Sequence, residues 1–199
     1  MFVQVITAPV GDAKAIQRSL DSWDDERRPQ ANGFVGATSG ISEQNSFVAI
    51  ARFESEELAR QNSDDPAQTA WWNELSKGFA GEATFHDCTE VEMSGRGGSD
   101  EAGFVQVIQG RARDKQAIQN MSKEFEAQMN EFRPDILGSF TAWDGDIFTD
   151  VVYFTNEAEA RAGEAKPMSE EMRAGMESWQ SMTEGMQFYD LTDPRLVSP

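Results

Sequence analysis

One cysteine, one histidine and two tyrosines are the whole supply of three versatile side-chain types in this chain of 199 residues. Cys88 has no partner for an intrachain disulfide, which fits a reducing compartment, and a cytoplasmic location is expected. A lone strand cysteine reads as a small core hydrophobe rather than a reactive thiol. One His and one Cys do not make a usual zinc site, so no metal centre is expected. Any histidine chemistry belongs to His86. No G-x-S-x-G turn is present, which sets a hydrolase aside. No stretch approaches the ~20 apolar residues of a membrane span. The opening Met1-Phe2-Val3-Gln4-Val5 lacks the basic region of a secretory signal. Cations are scarce: 17 Lys and Arg stand against 35 Asp and Glu, for a net charge of −18 and a pI near 4.3. Such a field repels phosphate backbones and anionic lipids, so nucleic acid and membrane surfaces are excluded as partners.

What the chain has is a repeat. Phe2-Val3-Gln4-Val5-Ile6 returns as Phe104-Val105-Gln106-Val107-Ile108, and Phe85-His86-Asp87 returns as Phe188-Tyr189-Asp190. Arg28-Pro29, Phe53, Ala59-Arg60 and Pro66 have counterparts in Arg133-Pro134, Phe154, Ala160-Arg161 and Pro167. A repeat decides architecture before any motif does. The expected units are 1–93 and 104–199, joined by a linker at 94–103. Gly95-x-Gly97-Gly98 in that linker runs into a strand rather than a helix, so it is not a dinucleotide fingerprint.

Each half reads strand-helix-strand-strand-helix-strand. In the first, Asp12 is a candidate N-cap, Ile16, Leu20 and Trp23 form a helical stripe, and Ser55 caps a second helix that Pro66 interrupts. In the second, Asp114 caps a helix carrying Ile118, Met121, Phe125, Met129 and Phe132. Asp144-Gly145 marks a tight hairpin, and Asn156 with Glu159 suggests a capping box. Asp144, Asp146 and Asp150 have a calcium-loop flavour, but the closing glutamate is missing and the hairpin explains them better. This is the split βαβ, ferredoxin-like order. A four-stranded sheet with both helices on one face needs cover on the other, and a second copy is the simplest cover. The expected fold class is therefore α+β: two ferredoxin-like βαββαβ units closing into an intramolecular barrel.

The strand order, unit length and FVQVI-type opening strand resemble the dimeric α+β barrel superfamily, and within it a tandem form of the antibiotic biosynthesis monooxygenase-like proteins. Most members make the barrel by homodimerisation; the resemblance implies that this chain is a monomer with an internal pseudo-dimer, with higher oligomers left open. It implies a pocket for a small hydrophobic or aromatic ligand and a cofactor-independent monooxygenase activity, with no cofactor bound. The alternative is a non-catalytic ligand-binding or stress-related protein. Haem-degrading relatives pair a first-strand Asn with a Trp and a helix His; this first strand carries Gln4 and Thr7 instead, so that activity is not carried over.

The two tyrosines, Tyr153 and Tyr189, align with Arg52 and His86 of the first half. Gln4 and Gln106 are identical and sit mid-strand. The expected ligand-binding residues are thus Gln4, Trp72, Gln106, Tyr153 and Tyr189. His86 is the expected proton acceptor or donor, its ordinary pKa near ~6.5 suiting the task. Arg52 is expected to hold a carboxylate or enolate oxygen. All of this requires Gln4, Arg52 and His86 to converge on one cavity, which strand alternation alone does not guarantee. One of the adjacent Trp71 and Trp72 must leave the helix's buried face, and Trp72 is the one expected at the pocket. Methionines 168, 172, 176, 182 and 186 read as core.

Overall fold

Alternation of apolar and small residues along Phe2–Pro9, Phe34–Ile41 and Ser46–Phe53 produces three of the strands on which everything else rests: β1, β2 and β3. The computed structural model describes residues 1–95 and 97–198. The chain divides into two units, Met1–Val91 with Asp193–Pro199, and Glu92–Thr192. Arg96 of the expected linker and Pro199 lie outside the described residues.

In the first unit β1 is followed by α1 (Ala13–Ser22), then β2 and β3, then α2 (Glu56–Asp64), α3 (Pro66–Leu75) and β4 (Thr84–Cys88). Every one of these helices starts on a side-chain cap: Asp12, Ser55 and Asp65 accept from Ala15, Leu58 and Ala67 backbone N–H groups. Each such cap contributes about 1 kcal/mol. Asp65 and Pro66 also explain the break between α2 and α3, since proline fits the first turn of a helix but not its interior. After α1 the chain makes a π turn at Trp23–Arg27 and a short 3-10 turn at Arg28–Gln30.

With β10 (Arg195–Val197) the antiparallel sheet of this unit runs β10-β2-β3-β1-β4, β1 lying between β3 and β4 as the ferredoxin-like order demands. Its outer strand β10 is the C-terminal end of the described chain, paired Arg195 to Ser39 and Val197 to Ala37. The segment 193–199 therefore groups with the first unit, where the repeat alone assigned it to the second.

The second unit holds β6 (Phe104–Ala112), α4 (Lys115–Phe132), β7 (Ile136–Asp144), β8 (Ile147–Phe154), α5 (Glu157–Glu164), α6 (Glu170–Ser181) and β9 (Thr183–Leu191). Asp114, Asn156 and Ser169 cap its helices. Its sheet runs β5-β7-β8-β6-β9, β5 being Glu90–Ser94. The end of the first half thus supplies two strands: β4 stays with the first sheet and β5 extends the second. Asp144 pairs with Ile147 around Gly145, whose φ of 62° gives the tight hairpin its left-handed residue. Both units are ferredoxin-like, and the fold is α+β as expected.

Each sheet has two buried faces. On the helix side of the first, Ile6, Ala8 and Phe47 pack with Ile16 and Leu75 at one end, and Phe2, Phe34 and Phe53 with Ala59 and Val197 at the other. Val3, Val5, Val48 and Ile50 fill the opposite face and are fully buried. Cys88 lies on that face, across from Val3, and is buried. In the second unit the helix-side clusters centre on Trp143 with Phe148 and on Phe104 with Phe154. Met172 is buried and Met182 and Met186 pack against the Trp143 cluster, whereas Met168 and Met176 are exposed.

Candidate ligand cavity

Between the two helix-side clusters of the first unit, β2 and β3 present only small side chains. Register places Ser39 beside Ala49, and Ala49 beside Ile6; the next row runs Ala37, Ala51, Gln4. Alanine where Phe47 and Phe53 stand further along the same strand leaves a void under the helices. That void is a cavity of about 390 Å³, roofed by Trp23, Trp71, Trp72 and Leu20 and floored by these small residues. Its size falls in the usual range for small-molecule pockets, roughly 300–1,000 Å³.

The aromatic wall is continuous. Trp23 meets Phe34 and Trp71 at centroid distances of 5.0 and 6.3 Å, and Trp72 meets Trp71, Phe79 and Phe85 at 6.4, 5.9 and 5.2 Å. Two indoles are fixed by hydrogen bonds: Trp23 Nε1 donates to Gln68 Oε1 at 3.1 Å, and Trp71 Nε1 to the Ser19 carbonyl at 2.6 Å. The π turn lets consecutive residues, Trp23 and Asp24, both line the void. π segments often mark functional sites; the corresponding part of the second unit is regular α-helix in α4.

Of the polar residues that line the cavity, Gln4, Ser63, Gln68 and Thr69 are hydrogen-bonded through their side chains. Among the described residues the side chains of Asn62, Ser39 and Trp72 make no hydrogen bond. The charged lining residues are Asp24 and Arg195. Arg195 donates from Nε to Asp24 Oδ2 at 2.9 Å, from Nη2 to the same oxygen, and from Nη1 to Asp21 Oδ1 at 2.6 Å. Burial acts to lower the pKa of Arg195, but its bonds to Asp24 and Asp21 hold it above the ordinary value; Arg195 in turn draws Asp21 below the carboxylate range.

Gln4 and Trp72 line this cavity, with Gln4 Nε2 tied to Asp87 Oδ1 at 2.8 Å. Arg52 and His86 do not. Arg52 stands opposite Val3 and His86 opposite Val5, so both share the face that carries the valines, while Gln4 points to the helices. The expected convergence of Gln4, Arg52 and His86 fails for the plainest reason: successive strand residues alternate faces. The Arg52 guanidinium instead lies over Gly36; a Cβ there would stand 2.5 Å from its Nη2. The second unit repeats this split. Gln106 donates to Asp190 at 3.0 Å on the helix side, while Tyr153 and Tyr189 oppose Val105 and Val107 on the other face. Tyr153 is fully buried; the Tyr189 hydroxyl, raised in pKa by burial, donates to Gln187 Oε1 at 2.6 Å.

Sequence reasoning missed Asn62, Ser39, Arg195 and the alanine floor. The one available signal was the small residues at alternate positions 37, 39, 49 and 51, between bulky ones on the same strands. Asp150, set aside in the sequence as part of a hairpin, occupies in the second sheet the place of Ala49. Burial pushes the Asp150 carboxyl up to about 6, helped by the nearby Glu92 charge and opposed by a Thr141 hydrogen bond. Among the described residues no helix is long and apolar enough to cross a membrane.

No protein-family model and no curated protein matches the sequence. Solved structures do match in fold. A Lactobacillus acidophilus protein described as a "putative monooxygenase" aligns over 99% of both chains at 10% identity, with a TM-score of 0.69. A Fusobacterium nucleatum protein described in the same words aligns over 99% of this chain and 94% of its own at 7% identity, TM-score 0.76. An anthrone oxidase-like protein aligns over 98% and 92% at 7% identity, TM-score 0.68. At such identities the shared property is the fold, and over nearly the full length that fold is a tandem of two ferredoxin-like units.

Proposed function

We propose that the first unit binds a flat, largely apolar small molecule in its cavity and oxidises it with molecular oxygen, without a bound cofactor. The observation that carries the reading is the aromatic-walled void whose unused polar groups, Asn62, Ser39 and Trp72, border it. Aromatic walls suit a planar ligand, and a few polar groups in an apolar pocket fix its orientation. The Asn62 amide and Trp72 Nε1 would donate to a ligand oxygen on which negative charge grows as a proton leaves; donors in a dry site stabilise such charge strongly. The fold likeness to proteins described as monooxygenases adds support.

A second reading, non-catalytic ligand binding, is favoured by one observation. The charged lining residues, Asp24 and Arg195, are bonded to each other, so the cavity offers no uncommitted acid or base.

Anthrone separates the readings: anthrone plus O₂ gives anthraquinone plus water, with no other reactant. In chelator-treated buffer with no added flavin, oxygen uptake above the protein-free blank, lost tenfold or more in Asn62→Ala, is the expected result. Anthrone binding without oxygen uptake leaves the second reading standing. Absence of binding removes both.

A further inference from the structure

We infer that Arg195, with Ser39, recognises a neutral carbonyl oxygen of the cavity's ligand, an inference that rests on the ligand-binding reading above. Arg195 is the sole cation lining the cavity among the described residues, and it stands directly across from Ser39 in the β10–β2 register. A guanidinium carries five N–H donors. Three are spent on Asp21 and Asp24, and among the described residues no acceptor takes the second N–H of Nη1 or of Nη2. The Ser39 side chain is likewise uncommitted although Ser39 is buried. The leftover donors of Arg195 and Ser39 therefore stand side by side among the residues that line the cavity.

The two carboxylates do more than hold the guanidinium. Two negative charges against one positive leave this end of the cavity anionic, which repels a carboxylate or phenolate and favours an uncharged acceptor. Held on two sides, Arg195 presents its remaining N–H groups in a fixed fork, at little entropic cost on binding. The second unit does not share this arrangement. In the repeat Arg195 corresponds to Glu92 and Asp21 to Lys123, and there the pair is reversed in sign, Lys123 Nζ lying 3.4 Å from Glu92 Oε1. Glu92 accepts from Trp143 Nε1 at 3.1 Å. A carboxylate in that place has no donor to offer a carbonyl. The anchoring of the outer strand recurs in both units, but the donor set belongs to the first.

The test compares two probes of nearly equal shape, 1-acetonaphthone and 1-ethylnaphthalene, by equilibrium dialysis against the full-length protein. The wild-type protein is expected to bind the ketone at least fivefold more tightly than the hydrocarbon. In Arg195→Met the two affinities become equal, while that for 1-ethylnaphthalene stays within threefold of wild type; Ser39→Ala narrows the preference. A ketone preference that survives Arg195→Met, or that is absent from the wild-type protein, overturns the inference and leaves the cavity reading intact. Failure of the wild-type protein to bind even 1-ethylnaphthalene overturns both. If Arg195→Met does not fold by circular dichroism, an unchanged preference in Ser39→Ala is the refuting result.

Discussion

Thr141 donates a hydrogen bond of 2.6 Å to Asp150 from the neighbouring strand, and this bond holds a carboxyl group on the helix-facing side of the second sheet. Burial, with the Glu92 charge, raises that carboxyl from an ordinary 3.8 to about 6. Between these values the folded protein keeps a proton that the unfolded chain has released. Stability contributed by this group is therefore present below the unfolded value and lost as pH rises through the folded one. A shift of this kind corresponds to roughly 1–3 kcal/mol. Asp150→Asn keeps an acceptor for Thr141 and removes the charge. The variant is expected to be more stable than its parent by about that amount at pH 7 and equal to it near pH 3.5, read as the difference in urea midpoints. A gain of the same size at both pH values would show that charge is not the cause.

Gly36 of β2 leaves no room for a side chain. Its φ is 149°, and a Cβ would stand 2.5 Å from Arg52 Nη2 and 3.0 Å from the Val197 carbonyl. Gly36→Ala is expected to cost about 1–3 kcal/mol, seen as a lower melting temperature. Adding Arg52→Ala should return only part of the loss, because the backbone carbonyl of β10 and the unfavourable φ remain. Full recovery in the double variant would locate the strain in the guanidinium alone.

How much of this was legible beforehand varies with the range of the interaction. The repeat, the strand order and the caps at Asp12, Ser55, Asp114 and Asn156 are local patterns, and local patterns survive in sequence. The placing of Arg195 is not local. Its partners Asp21 and Asp24 lie at the other end of the chain, and no period announces that a three-residue strand after the second unit will complete the first sheet. The misplacing of Arg52 and His86 has a different origin. Their nearness to Gln4 followed correctly from the strand order, but nearness within a sheet says nothing about side, and a shift of one residue reverses it. The cavity was hidden because it is made by what is missing at Ala49 and Ala51.

Filling that space tests the location directly. Ala49→Phe puts a ring into the floor, and a void of about 390 Å³ has room for it. The expected outcome is at least a tenfold loss of 1-ethylnaphthalene binding with an unchanged or raised melting temperature, since added packing offsets the strain of a larger side chain. His86→Ala, on the opposite face, should leave the affinity within twofold. Reversed results for the two variants would move the ligand site to the other side of the sheet.

Arg133 and Asp135 make an enclosed ion pair in the second unit, with side-chain exposures of 12% and 8%. Arg133 donates from Nε to both carboxylate oxygens, from Nη2 to Oδ2 at 2.7 Å, and from Nη2 to the Ala160 carbonyl at 3.1 Å. Burial alone would raise the pKa of Asp135, but the Arg133 hydrogen bonds outweigh it and the net shift is downward. A depressed carboxylate contributes stability that is present above its unfolded value and lost as pH falls through the folded one. Asp135→Asn should therefore cost most near neutral pH, about 3–5 kcal/mol for a buried guanidinium deprived of its partner, and progressively less below about pH 4. Removing both charges is expected to be milder than removing one, because apolar pairs of similar volume often replace buried ion pairs at little cost. Arg133→Met with Asp135→Leu should melt above Asp135→Asn at pH 7, and a double variant less stable than the single would mean that the pair contributes through its bond to Ala160 rather than through charge.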